Sequence, residues 1–159
     1  ARARRHGRTC GLLMIDVDDF KQINDTYGHE TGNEVLRQVS RLLSATVRTV
    51  DLVARIQEVE ANPVVARYGG DEFEVLFPDT TKPGLQAAGE RIVAALAQEQ
   101  FFSNGQPLQV GFSLGAAVFP DDAPDSRELA LRADEALYSA KRLGKNRFCM
   151  YQARNAAFQ

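Results

Sequence analysis

"ANPVVARY" (61–68), "RYGGDEF" (67–73) and "EVLFPD" (74–79) form one overlapping stretch, and its reading decides the fold. Two apolar runs flank two glycines and two carboxylates, the pattern of a β-hairpin. Gly69 and Gly70 permit the tight turn. Asp71 and Glu72 then stand at an exposed turn, beside a sheet edge or end.

The rest of the chain builds outward from that hairpin. "CGLLMIDVD" (10–18) is apolar without alternation, so it reads as a strand covered on both faces. In "NEVLRQVSRLLSATV" (33–47) the apolar positions 35, 36, 39, 42, 43 and 47 follow a helical period. "DLVARI" (51–56) reads as a strand, "FEVLF" (73–77) as the strand after the turn, and "GLQAAGERIVAALAQEQ" (84–100) as a helix. "LQVGFSLGAAVF" (108–119) reads as one or two strands, where Gly111 and Gly115 point to a bulge or a close backbone contact. "PDSRELALRADEALYSAKRLG" (124–144) is a helix with an Asp125/Glu128 capping box and Gly144 at its end. "RFCMY" (147–151) closes as a strand. The expected fold is α/β of the α+β kind: a mixed central sheet covered by helices, in one domain spanning 1–159.

Composition removes several function classes. The 159 residues carry a net charge of −2, so no basic field points to nucleic acid or an anionic membrane. The basic opening "ARARRHGR" (1–8) reads as the tail of a helix rather than a nucleic-acid arm. No apolar run spans a bilayer, so no membrane contact by this domain is expected. Cys10 and Cys149 are two thiols in apolar runs, with no disulfide framework and no zinc spacing. A reducing, cytoplasmic setting is the simplest expectation, whether or not a longer protein carrying the domain is membrane-anchored.

Asp16 ends the first strand, and Asp71 and Glu72 sit at the hairpin turn. Carboxylates sharing a small volume repel and raise one another's pKa unless a cation answers them. Mg2+ takes one or two carboxylates together with substrate phosphates. Solvated strand-end acids would look the same in sequence. The polar segment "DDFKQINDTYGHETGN" (18–33) offers backbone amides at Phe20 and Lys21 for phosphate oxygens, and Asn24 for a base edge. Lys141 and Lys145 lie four apart near a helix end, suited to a phosphorylated substrate.

Three separated motifs in order, "DVDDFKQINDTYGH" (16–29), "RYGGDEF" and "ADEALYSAKRLGKNR" (133–147), make the chain resemble the GGDEF family over nearly its whole length. These are the catalytic domains of diguanylate cyclases. The resemblance implies a nucleotide-cyclase, palm-like ferredoxin-type core with the motif on its β-hairpin. It implies condensation of two GTP into cyclic di-GMP with release of two pyrophosphates. It implies Asp16, Asp71 and the Val17 carbonyl as ligands of Mg2+ or Mn2+, with Glu72 supporting them. Gly69 and Gly70 would let the hairpin approach the nucleotide. Asn24 would read guanine, the Phe20 and Lys21 amides the outer phosphates, and Lys141 and Lys145 further phosphate oxygens. A homodimer would be needed, because each domain holds one GTP.

Three departures qualify that resemblance. Asn33 stands where the family usually has aspartate, and an amide offers one donor and one acceptor where guanine asks for two acceptors. A relaxed cyclase also using ATP, or a binding module for GTP or cyclic di-GMP without turnover, are the alternatives it leaves. "VRTVDLVAR" (47–55) places Arg48 and Asp51 as the family's product-inhibition pair, but 56–67 reads as an insertion before the motif. Either the pair still binds product or the register has shifted. Finally, the family's usual segment ahead of the first strand is missing. The chain therefore reads as an N-terminally truncated fragment of a longer sensor protein, without the upstream sensor or dimerisation domain.

Overall fold

In a computed structural model, residues 7–55, 64–67 and 70–153 are described. The basic opening 1–6, the greater part of the expected insertion (56–63) and Gly69 lie outside them.

Eight residues of nearly unbroken apolar character form β1 (Cys10–Val17), the central strand of a five-stranded sheet. Around it are β2 (Val64–Arg67) and β3 (Glu72–Pro78) on one side. On the other are β6 (Phe112–Phe119) and β7 (Arg147–Met150). The order is β2-β3-β1-β6-β7; β6 and β7 run parallel and every other pairing is antiparallel. A small separate hairpin, β4 (Phe101–Ser103) with β5 (Gln106–Leu108), completes the strands.

Both faces of β1 are covered, as its continuous apolar run requires. Leu13, Ile15 and Val17 join one cluster with Val39 and Leu43 of α2 (His29–Arg55) and Ile92 and Leu96 of α3 (Lys82–Gln98). Leu12 points the other way, into a cluster with Ala117, Leu129 and Ala133, the last two from α4 (Ser126–Arg142). The alternation puts Asp16 on the α4 face.

The close contact expected at Gly115 is real. A Cβ there would lie 2.0 Å from the backbone nitrogen of Leu137, so α4 rests directly on the β6 backbone. The capping of α4 also follows the sequence: Asp125 Oδ1 accepts from the Glu128 amide at 2.8 Å, and Gly144 (φ 123°) lies just past the helix end.

One expectation is corrected. "DLVARI" is not a strand: residues 51–55 continue α2, because the apolar period of 35–47 runs on without a breaker. The polar segment after β1 opens with a two-turn helix, α1 (Phe20–Tyr27), which the sequence reading left unassigned. The β4–β5 hairpin was hidden by its brevity, three residues to a strand.

Candidate active site

Register assembles the carboxylates. Asp16 on β1 is opposite Glu72 on β3 and opposite Ser113 on β6. The hairpin turn folds back so that the Val17 amide donates to the Asp71 carbonyl at 3.3 Å. The strand-end acid and the turn acids, 55 positions apart in sequence, therefore share one end of the sheet. Asp16 is buried, Asp71 half-buried and Glu72 exposed.

The α4 face supplies the cation. Lys141 Nζ donates to Asp16 Oδ2. Asp16 Oδ1 is buried and has no hydrogen-bond donor. Burial pushes the Asp16 carboxyl up to about 6, against the pull of Lys141 and with the help of the neighbouring Asp71 carboxyl. Burial lowers the Lys141 ammonium, but the hydrogen bond and charge of Asp16, followed by the charges of Glu72 and Asp18, outweigh it and raise it overall. Two close carboxyls with a buried acceptor lacking a donor fit a hard divalent cation, whose oxygen ligands Asp16, Asp71 and the Val17 carbonyl could supply. No cluster of three acidic, histidine or cysteine side chains fit to hold a metal stands among the described residues. The protein side of such a site would thus be a carboxylate pair plus a backbone oxygen.

A second group of residues surrounds the start of α1. The Phe20 and Lys21 amides open the helix, where no intrahelical carbonyl reaches them. Asp19 precedes them in a left-handed conformation (φ 53°), and Lys145 Nζ donates to its Oδ1 at 2.6 Å. Lys145 does not continue the helical row of Lys141. α4 has ended at Arg142, and Lys145 (φ 65°) belongs to the turn into β7. A cleft of about 580 Å³ adjoins this turn, with Asp19, Gln22, Thr26 and Lys145 among its walls.

Asn24 lies half-buried on α1, against Gly32 of α2. A Cβ on Gly32 would come within 1.9 Å of Asn24 Oδ1 and 3.2 Å of the Phe20 ring, so only glycine lets the amide rest there. Asn33, the next residue, is exposed. Arg48 is exposed on α2, its Nε donating to the Ser44 carbonyl at 3.3 Å. Asp51 lies one helical turn further on the α2 backbone, with its side chain outside the described residues. Gly70 sits in the turn with φ 34°.

Asp18, Ser113 and Asn146 were given no role from sequence. Asp18 and Ser113 are buried. The signal was a serine inside the apolar run of β6, since a buried hydroxyl needs a partner. Asp18, next but one after Asp16, supplies it at 2.6 Å.

A largely antiparallel sheet between helices, with carboxylates from a strand end and a hairpin turn beside a helix-borne lysine, defines a GGDEF-type domain. Residues 1–61 and 57–147 match the family described as diguanylate cyclase, GGDEF domain, and the chain belongs to that family. It is similar to the diguanylate cyclase DosC of Escherichia coli K12, 40% identical over 154 residues, which is 96% of this chain and 31% of DosC. Among solved structures, the active GGEEF domain of a diguanylate cyclase from Vibrio cholerae superposes with a TM-score of 0.78. That match is 29% identical and covers 96% of this chain and 88% of that one. The GGDEF domain of DgcB from Caulobacter crescentus, in complex with c-di-GMP, gives a TM-score of 0.79 at 29% identity over 96% and 83% of the chains. No helix among the described residues is long and apolar enough to cross a membrane.

Proposed function

We propose that the domain is a diguanylate cyclase, joining two GTP into cyclic di-GMP and releasing two pyrophosphates. The observation that carries the proposal is the meeting of Asp16, Asp71 and Lys141 at one sheet end, three residues drawn from three separate sequence motifs. In this reading the 3'-hydroxyl of one GTP attacks the α-phosphorus of the other. A Mg2+ or Mn2+ ion held by Asp16, Asp71 and the Val17 carbonyl, with Glu72 in support, would polarise the phosphate and lower the pKa of that hydroxyl.

The chain's own residues bind and orient. The Phe20 and Lys21 amides and Lys145 receive the outer phosphates at the positive end of α1. Lys141 neutralises charge beside the reacting phosphate. Asn24 and Asn33 meet the base, and the glycines at 69 and 70 let the hairpin approach the nucleotide. One domain holds one GTP, so two copies face each other for turnover. Arg48 and Asp51, three apart along α2, would together hold cyclic di-GMP as a product-inhibition pair. The reading places the domain in a cytoplasmic signalling protein whose sensor or dimerisation region lies outside the 159 residues.

The test is product analysis. The domain at high concentration is incubated with Mg2+ and GTP, ATP or both, and each cyclic product is identified. Cyclic di-GMP as the main product supports the proposal. Nucleotide binding without any product would make the domain a binding module, and a cyclic mononucleotide would make it a different cyclase.

A further inference from the structure

We propose that Asp18 is a positioning residue that holds Lys145 at the N-terminus of α1, where the outer phosphates of the nucleotide would lie. The inference rests on the reading of Lys145 as a phosphate contact.

Three segments converge on Asp18. Its amide donates to the Gly111 carbonyl at 2.9 Å. Its Oδ1 accepts from the Ser113 hydroxyl at 2.6 Å, and its Oδ2 accepts from the Asn146 amide at 2.9 Å. The residue is 8% exposed and both carboxylate oxygens are engaged. A buried carboxylate bonded at both oxygens is a strong and directional anchor. It ties the end of β1 to the start of β6 and to the turn entering β7.

Lys145 is the neighbour of the anchored amide. Gly144, Lys145 and Asn146 all have positive φ (123°, 65° and 50°); the Lys145 amide ties the helix side of this turn to the Ala140 carbonyl at 3.0 Å, and the Asn146 bond to Asp18 ties its β7 side. The contact visible on the Lys145 side chain is the ion pair to Asp19, whose two side chains are 44% and 55% exposed. An exposed pair of that kind is screened and weakly directional. The phosphate would also compete for the same ammonium. Asp18, which touches no reacting atom, is therefore the buried tie on the β7 side of the turn that, with the Ala140 bond on the helix side, keeps Lys145 within reach of Asp19 at the start of α1. The same carboxylate stands between the strand end bearing Asp16 and the helix start, so it fixes the two halves of the site relative to each other.

Substitution separates positioning from mere stability. Asn at position 18 can accept from the Asn146 amide through its oxygen and donate from its NH2 to Ser113, whose hydroxyl turns to accept. Ala can do neither. The measurement is calorimetric affinity for a non-hydrolysable GTP analogue with Mg2+, in the parent, D18A, D18N, K145A and D18A/K145A, with exchange of the Asn146 amide followed alongside. The expected result is that D18A and K145A each weaken binding about fivefold or more, while D18A adds less than about twofold in the K145A background. D18N should bind within about twofold of the parent and keep the Asn146 amide protected, whereas D18A exposes it. If D18A does not fold, D18S runs the same cycle, its hydroxyl being too short to span both partners.

Multiplying effects of D18A and K145A, or a D18N variant as weak as D18A, would overturn the proposal. A K145A variant that binds like the parent would overturn it at an earlier step, by removing Lys145 from the phosphate site. A loss in K145A without coupling to position 18 leaves the phosphate reading standing and removes only the role of Asp18.

Discussion

Lys141 Nζ and the Asp16 carboxylate form an ion pair across the α4–β1 interface that engages one oxygen of the acid, Oδ2, while Oδ1 stays buried without a donor. Half of this acid is answered by the protein and half is left for another positive group. Two predictions come from that asymmetry.

The first concerns pH and stability. With its folded-state pKa raised from 3.8 to about 6, Asp16 holds its proton more tightly folded than unfolded. Its contribution to stability is therefore full below about pH 4 and is lost as the pH rises through 6. Asp16→Asn does not titrate and still accepts from Lys141. It should stabilise the metal-free domain at pH 7.5, by no more than about 3 kcal/mol for a shift of this size, and leave stability unchanged at the acidic end. Denaturant midpoints of both proteins across pH 4–8 check this; an equal gain at both ends would show that Asp16 is not the titrating group.

The second concerns the hairpin. Asp71→Asn keeps the backbone carbonyl that accepts from the Val17 amide, so the fold should survive. It removes a carboxylate of the proposed metal site and one of the groups that raise the pKa of Asp16. Cyclic di-GMP formation should fall on the order of 100-fold or more, with an unchanged circular dichroism spectrum. A folded D71N protein with parental turnover would take Asp71 out of the site.

Much of this arrangement was legible in the sequence, for local reasons. The strand ending in Asp16, the turn carrying Asp71 and the capped helix carrying Lys141 each announce themselves by period and punctuation. What sequence alone could not give is the register that sets Asp16 opposite Glu72 and Ser113. It also misjudged residues 51–55, whose β-branched and apolar content suits a strand as well as a helix, and the preceding helix decided the outcome. α1 escaped because a two-turn helix is too short for its period to show, and its first residue follows a left-handed aspartate rather than a side-chain cap.

Gly32 gives a prediction about base recognition. Gly32→Ala would drive a methyl group into the Asn24 amide, 1.9 Å away, and crowd the Phe20 ring. The cost should be roughly 1–3 kcal/mol of stability, as for other overpacked contacts. If Asn24 meets the base as proposed, affinity for GTP should fall further than affinity for inorganic triphosphate. Equal losses for both ligands would dissociate Asn24 from base reading.

Asn33, the residue after Gly32, is exposed and gives a test of specificity. A correctly placed pair of base-edge bonds discriminates by roughly 1–3 kcal/mol. Restoring two acceptors with Asn33→Asp should raise kcat/KM for GTP relative to ATP under identical metal and salt. Any added repulsion of the triphosphate falls on both nucleotides, so the ratio isolates the base. A ratio unmoved by N33D would assign specificity to Asn24 alone.

The product-inhibition pair is tested by calorimetry. If Arg48 and Asp51 act together, cyclic di-GMP should bind the parent and not R48A. Absence of binding to the parent would mean that the pair serves no product site here.

The contact of α4 with β6 at Gly115 gives the site a mechanical property. Most helices float on a cushion of side chains that repack when a neighbour changes. Here the Leu137 backbone sits where a Cβ of residue 115 would be, one helical turn before Lys141. There is no cushion to absorb a change. A single methyl group at position 115 would act as a shim, lifting the helix and carrying the ammonium of Lys141 away from Asp16. The spacing of the charges at the sheet end is thus gauged by the thickness of one missing side chain.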